Sequence, residues 1–208
     1  MSAELEKYLK EQTESLLIPT IQEFIKIENQ SRAFDPKWET NGLNEKVCEV
    51  AGSPVKAPFE RLTYAQAMRM YGSDKPDLRL PPFHVLDGEL PPSPAFADLK
   101  FPPVAIHVPK VGSLSRKERD DWKAYGTERG LRVYDDMKRL DPIVVDMARK
   151  ATGATEDDLL ILAGWPGEPS GQRPEETFFQ ACGQLRLAIG QKYADRHKLL
   201  DPKVFRFL

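Results

Sequence analysis

The chain has 208 residues, enough for one domain or one domain with an appendage, and enough to bury a real core without disulfide staples. Its 40% hydrophobic and 30% charged residues fit a folded chain and not a disordered one. Thirty basic residues against thirty-two acidic ones leave −2, which removes any strong expectation of a dedicated nucleic-acid or membrane-surface binder.

Residues 3–28 read as helix, with Leu5, Tyr8, Leu9, Leu16, Leu17, Ile21, Phe24 and Ile25 at helical spacing. Such an amphipathic stripe is marginal alone and needs a partner surface. Pro19 lacks an N–H and clashes with the carbonyl four residues back, so a kink is expected there, or two helices that meet. The same stretch is polar, and Glu4, Glu6, Glu11 and Glu14 argue against a signal or transit peptide. No apolar run approaches ~18 residues, so no membrane span is expected. The expected compartment is the cytoplasm or the mitochondrial matrix.

Residues 29–42, with Asp35-Pro36 and Asn41-Gly42, read as a loop. A short helix over 43–50 precedes a joint at 51–57. Residues 62–71 form a helix opened by a Thr63–Gln66 capping box and stopped by Gly72. Eight prolines between Pro76 and Pro103 make an extended connector, open to proteolysis at 87–102, with a strand at 83–86. Strands follow at 104–108, 131–134 and 159–163. Helices start at the Ser115–Glu118 box, at Asp141-Pro142, and at Pro174, the last running to about Arg196. With no regular βαβ rhythm, the class is α+β.

Local chemistry is sparse. His84, His107 and His197 lie far apart, without HExxH, and read as structural or surface groups. Cys48 and Cys182 form no CxxC pair and sit on apolar helical patterns, as buried inert thiols do. Gly164, Gly167 and Gly171 punctuate a loop without a phosphate-binding pattern, and Glu156-Asp157-Asp158 lacks the alternation of a calcium loop. Neither metal nor cofactor is expected. A mildly basic C-terminal strip, with Arg186, Lys192, Arg196 and Lys198, is the candidate for RNA or phosphate contact, set against a plain solvated helix face.

One segment is specific. Residues 58–82 read PFERLTYAQAMRMYGSDKPDLRLPP. This resembles the stretch of bacterial and mitochondrial-type aspartyl-tRNA synthetases that precedes their inserted GAD domain. VAIHVPKVGSLSRKER (104–119), YGTERGL (125–131), ATEDDLLILAG (154–164) and ACGQLRLAIG (181–190) then resemble that insert in order, and VFRFL (204–208) stands where the family chain re-enters its catalytic core. The resemblance implies a GAD-like module over 57–208, a small mixed sheet packed by helices. Residues 1–50 instead resemble the N-terminus of di-zinc dipeptidases, through the proline-bearing helix and SRAFDPKWETNGL, and imply a helical extension.

The departures point away from catalysis. The ATP-holding arginines of the synthetase motifs 2 and 3 have no counterpart here, and the dipeptidase metal ligands lie beyond the stretch present. Gly72, Ser73, Asp74, Lys75, Pro76, Asp77 and Arg79 would border the synthetase active site, yet without the core they can form only a stabilised turn. The expected function is a non-catalytic structural or interaction module with other protein subunits as partners. The alternative is a component of an aspartate–tRNA ligase, with tRNA as partner.

Overall fold

The computed structural model describes residues 3–26, 37, 42–50, 61–88, 90–167 and 174–201. By its contacts the chain divides into residues 1–61 with 203–208, and residues 62–202.

In the first unit, α1 (Ala3–Gln12), a π-helical turn (Thr13–Leu17) and α2 (Ile18–Ile25) follow without a break, and α3 (Leu43–Val50) lies where the sequence places a short helix. The π turn is the chain's answer to Pro19. The N–H of Ile18 reaches back to the Thr13 carbonyl, five residues away, so the ladder has already widened next to the proline. Ser15 Oγ also donates to the Glu11 carbonyl at 2.5 Å. The helix continues through a widened turn where a kink or a junction is expected. The 51–57 joint lies outside the described residues, as does nearly all of the 29–42 loop and the 204–208 segment.

The second unit is built on four strands: β1 (His84–Val85), β2 (Val104–Val108), β3 (Arg132–Tyr134) and β4 (Leu159–Gly164), in the order β1-β2-β4-β3. Every pair is antiparallel, with Ile106 opposite Ile161 and Val133 opposite Ala163. The class is α+β. The sheet is antiparallel throughout and not mixed: α6 (Pro142–Thr152) lies between the neighbouring strands β3 and β4 in the chain, yet the connection returns the chain antiparallel and makes no parallel crossover.

Both faces of the sheet are covered, which explains why β4 reads as an unbroken apolar run, LLILAG, buried at all positions. On one face, Val104, Ile106, Leu159 and Ile161 pack with Trp122 of α5 (Arg116–Thr127) and with Phe178, Cys182, Leu185 and Ile189 of α7 (Pro174–Lys192). On the other, Ala105, Leu160 and Leu162 meet Val144 and Ala148 of α6 (Pro142–Thr152). The expected caps are present. Thr63 and Gln66 close a reciprocal capping box at α4 (Tyr64–Tyr71), Ser115 and Glu118 do so at α5, and the Asp141 carboxylate accepts the Ile143 N–H at α6.

Two expectations shift. The last long helix stops at Lys192, and α8 (Ala194–His197) is a separate turn. Tyr193, between them, is buried, and its hydroxyl accepts the Trp122 indole N–H at 3.0 Å. The proline-rich connector is also better held than its composition suggests. Arg132 grips Asp98 through two 2.7 Å bonds, Tyr134 donates to the Ala95 carbonyl at 2.5 Å, and Lys100 donates to the Trp165 carbonyl.

Candidate functional site

The GSDKPDLR segment starts at the C-terminal cap of α4. Gly72 takes φ +66°, and its N–H closes the helix on the Met68 carbonyl. A side chain at Gly72 would stand 2.0 Å from the Phe179 carbonyl oxygen, and one at Gly183 would stand 2.4 Å from the Tyr71 carbonyl oxygen. The two glycines therefore let the end of α4 cross α7 at backbone distance.

Beyond Gly72, Ser73 Oγ accepts the Lys75 N–H at 3.1 Å and tightens the turn. Asp74 and Lys75 are exposed at its tip, and Pro76 is half-buried. Asp77 accepts from Arg79 three times: from the backbone N–H at 3.0 Å, from Nε at 3.0 Å and from Nη2 at 2.8 Å. Those hydrogen bonds hold its carboxyl below the usual range. Arg79 also reaches the Asp201 carbonyl at 3.4 Å.

Underneath lies Arg186, only 1% exposed. Its guanidinium donates to the Asp77 carbonyl at 3.2 Å and to the Pro81 carbonyl at 3.4 Å, and it sits 5.0 Å from the centre of the Tyr71 ring. Burial pushes its pKa down to about 10. Leu80, 2% exposed, then fills the space left by Gly190. Gly183, Arg186 and Gly190 share a face of α7, and the 72–81 segment is strapped along that face. Beside the strap, Tyr64, Met68, Ser73, Asp74, Gln184 and Leu187 border a groove of about 450 Å³.

Arg186 therefore leaves the basic strip expected from the sequence. It follows Cys182 by four residues and precedes Ile189 by three, on the buried seam of α7. That spacing was the available signal. The other members are exposed, and two are engaged. Lys192 approaches Asp121 at 3.8 Å, and Arg196 donates to the Val111 carbonyl at 3.2 Å and to Glu118 at 3.4 Å. Lys198 takes a left-handed φ of 57° just past α8. The strip and the 72–79 segment are not brought together beyond this one buried arginine.

His197 and Cys182 are enclosed in the fold. His197 is buried; its Nδ1 accepts the Leu199 N–H, which leaves Nε2 to donate to the Gly190 carbonyl at 2.7 Å. Cys182 is fully enclosed, and burial pushes its thiol up, away from nucleophilic use. Among the described residues, no group of three His, Cys, Asp or Glu side chains converges as a metal site would require. His107 Nε2 lies 3.3 Å from Asp158, within ion-pair range but without a hydrogen bond.

Asp158 carries a testable pH dependence. Desolvation raises its pKa, but N–H bonds from Thr155 and Lys110 and the Thr155 hydroxyl outweigh it, and the net value falls from 3.8 to about 2. A depressed folded-state pKa means stability that is present above about pH 4 and lost as pH falls toward 2. Asp158→Asn is expected to cost about 1–2 kcal/mol at pH 7, and the gap to wild type should narrow below pH 3. Urea melts at the two pH values check this; an unchanged gap would refute the assignment.

No known family profile matches the chain. Individual relatives do. It is 30% identical over 200 residues to the aspartate–tRNA(Asp/Asn) ligase of Acidobacterium capsulatum, covering 81% of this chain and 31% of the relative. It is 30% identical to the same-named enzyme of Rhodococcus opacus over 77% of this chain and 27% of the relative. It is 32% identical to the aspartate–tRNA ligase of Halalkalibacterium halodurans over 89% of this chain and 33% of the relative. The last match takes in part of residues 1–50, because the residues after 50 make up only about three-quarters of the chain. The chain spans about a third of the length of these relatives, and over most of its own length it is homologous to aspartate–tRNA ligases.

Proposed function

We propose that this chain is a non-catalytic structural or protein-interaction module derived from an aspartyl-tRNA synthetase and working as a subunit of a larger assembly. Residues 57–208 correspond in this reading to the synthetase GAD insert, and residues 1–50 to a helical extension with a dipeptidase-like sequence. The observation that carries it is the strap over α7. Asp77 and Arg79 are spent on each other, and Arg186 on the carbonyls beneath them. Catalysis of aminoacylation requires positioned charges directed at a reacting phosphate, and here the charges of Asp77 and Arg79 are paired with each other. The arginines that hold ATP in the synthetase motifs have no counterpart in the sequence.

A second reading is a component of an aspartate–tRNA ligase that acts with a separate catalytic core. It is favoured by the names of the relatives and by Asp74 and Lys75, which face solvent at the tip of the turn. ATP–pyrophosphate exchange with aspartate, and acylation of tRNA, separate the two. The pure chain is expected to show neither activity. Exchange that is abolished by Lys75→Ala would overturn the module reading. Co-purification with a synthetase core or tRNA would favour the second reading, and co-purification with unrelated subunits the first.

A further inference from the structure

We infer that the cleft between α5 and the turn after β3 is a binding site for a phosphate group carried on a small organic molecule. Arg116, Arg119, Asp120 and Lys123 line it from α5. Arg139 lines it from the 3-10 turn Met137–Arg139, with Asp136, the cap of that turn. Its volume of about 500 Å³ suits a small-molecule site, for which ~300–1,000 Å³ is usual. Arg116, Arg119 and Lys123 follow at intervals of three and four residues, so they share one face of the helix.

Asp135 anchors two of these cations. Its side chain is only 2% exposed, and it accepts from Arg119 Nε at 2.7 Å and lies 3.0 Å from Lys123 Nζ. Arg119 Nη2 also reaches Asp136 at 3.0 Å. A buried carboxylate is costly unless it is paired. Asp135 therefore holds Arg119 and Lys123 in place before any ligand arrives, which lowers the ordering cost of binding.

These pairs do not use up the positive charge. Four cations and two carboxylates line the cleft, and Asp135 adds a third carboxylate behind them, so one positive charge is left over. The Arg116 side chain has no hydrogen-bonding or ion-pair partner among the described residues. Arg139 meets Asp136 only at 3.3 Å, with its side chain 87% exposed. Guanidinium forks suit groups with several oxygens, carboxylate or phosphate. Here the two loosely held arginines stand on different walls. A flat carboxylate presents its oxygens to one side, whereas a tetrahedral phosphate presents oxygens to both. The cleft is larger than a bare phosphate ion, which leaves room for the molecule that carries the group.

Titration of the full chain with ribose 5-phosphate at constant ionic strength, followed by amide NMR shifts, tests this. Inorganic phosphate and malonate are the comparison arms. Saturable shifts at residues 116–123 and 136–139 are expected in the millimolar range or below, with weaker binding of inorganic phosphate and none of malonate. Arg116→Ala combined with Arg139→Ala should weaken binding at least about tenfold, with circular dichroism unchanged because both side chains are exposed. Asp120→Asn removes a repelling carboxylate from the wall and should tighten binding several-fold. Arg69→Ala combined with Lys150→Ala, which removes two exposed cations elsewhere, should leave it unchanged. The proposal is overturned if neither phosphate gives saturable shifts, if malonate binds as tightly as ribose 5-phosphate, or if the cleft variant binds like wild type. An equal loss in the Arg69 and Lys150 variant would reduce the effect to overall charge and overturn it too. Equal affinity for inorganic phosphate would assign the cleft to the free ion and overturn the organic ligand.

Discussion

Replacing Gly183 by alanine is expected to destabilise residues 62–202 by about 3 kcal/mol, a fall in Tm on the order of 10 °C. On helix propensity alone the substitution should stabilise by about 1 kcal/mol. Packing reverses the sign. The new methyl group would lie 2.4 Å from the Tyr71 carbonyl oxygen and 3.0 Å from Gly72 Cα, and both belong to backbone that no rotamer change can move. The end of α4 must then lift from α7, and the turn at Ser73–Lys75 lifts with it. Gly190→Ala is the matched control. Its methyl group would meet Leu80 Cδ1 at 2.3 Å, the far end of a flexible side chain, so a shift of Leu80 relieves part of the clash. A cost of about 1 kcal/mol is expected there. Thermal melts of both variants decide the matter: if Gly183→Ala costs no more than Gly190→Ala, the two helices do not cross at backbone distance.

The same pair of glycines shows how far the sequence could be read. Elements with local signatures were legible. Capping boxes name their own helix starts, a left-handed glycine names a stop, and the period-2 or continuous apolar runs name the strands. The 72–79 segment was legible through resemblance. What was not read is the second buried face of α7. The apolar pattern of Phe178, Cys182, Leu185 and Ile189 accounts for the sheet-facing side and leaves the neighbouring side to look like solvent. Phe179, Gly183, Arg186 and Gly190 are nonetheless buried, because a loop more than a hundred residues earlier lies on them. Glycine contributes nothing to an apolar count, and an arginine counts as polar, so a face built from both looks exposed. The seven-residue interval between Gly183 and Gly190, with a long side chain between them, was the trace of a close approach.

Arg186→Ala should be the other large effect, about 3 kcal/mol. Three changes contribute. The long side chain leaves a cavity beneath Tyr71, since Arg186 is among the largest fully buried side chains. The Asp77 and Pro81 carbonyls lose their donor, at about 1 kcal/mol or more each where they stay buried. Against this, a buried cation is removed. Because burial pushes the Arg186 pKa down to about 10, its charge carries a desolvation cost at neutral pH. The net loss is therefore smaller than the hydrogen bonds and cavity suggest. Arg186→Met separates the parts: it refills most of the volume and removes the charge, but donates nothing, so about 1–2 kcal/mol is expected. Hydrogen exchange gives the sharper reading. The Arg79 N–H, held by Asp77 at 3.0 Å, should exchange faster in both variants, because the strap that positions Asp77 is released from α7. Protection of Arg79 that survives in Arg186→Met would mean that the Asp77–Arg79 pair holds itself, and that the buried guanidinium serves only to fill space.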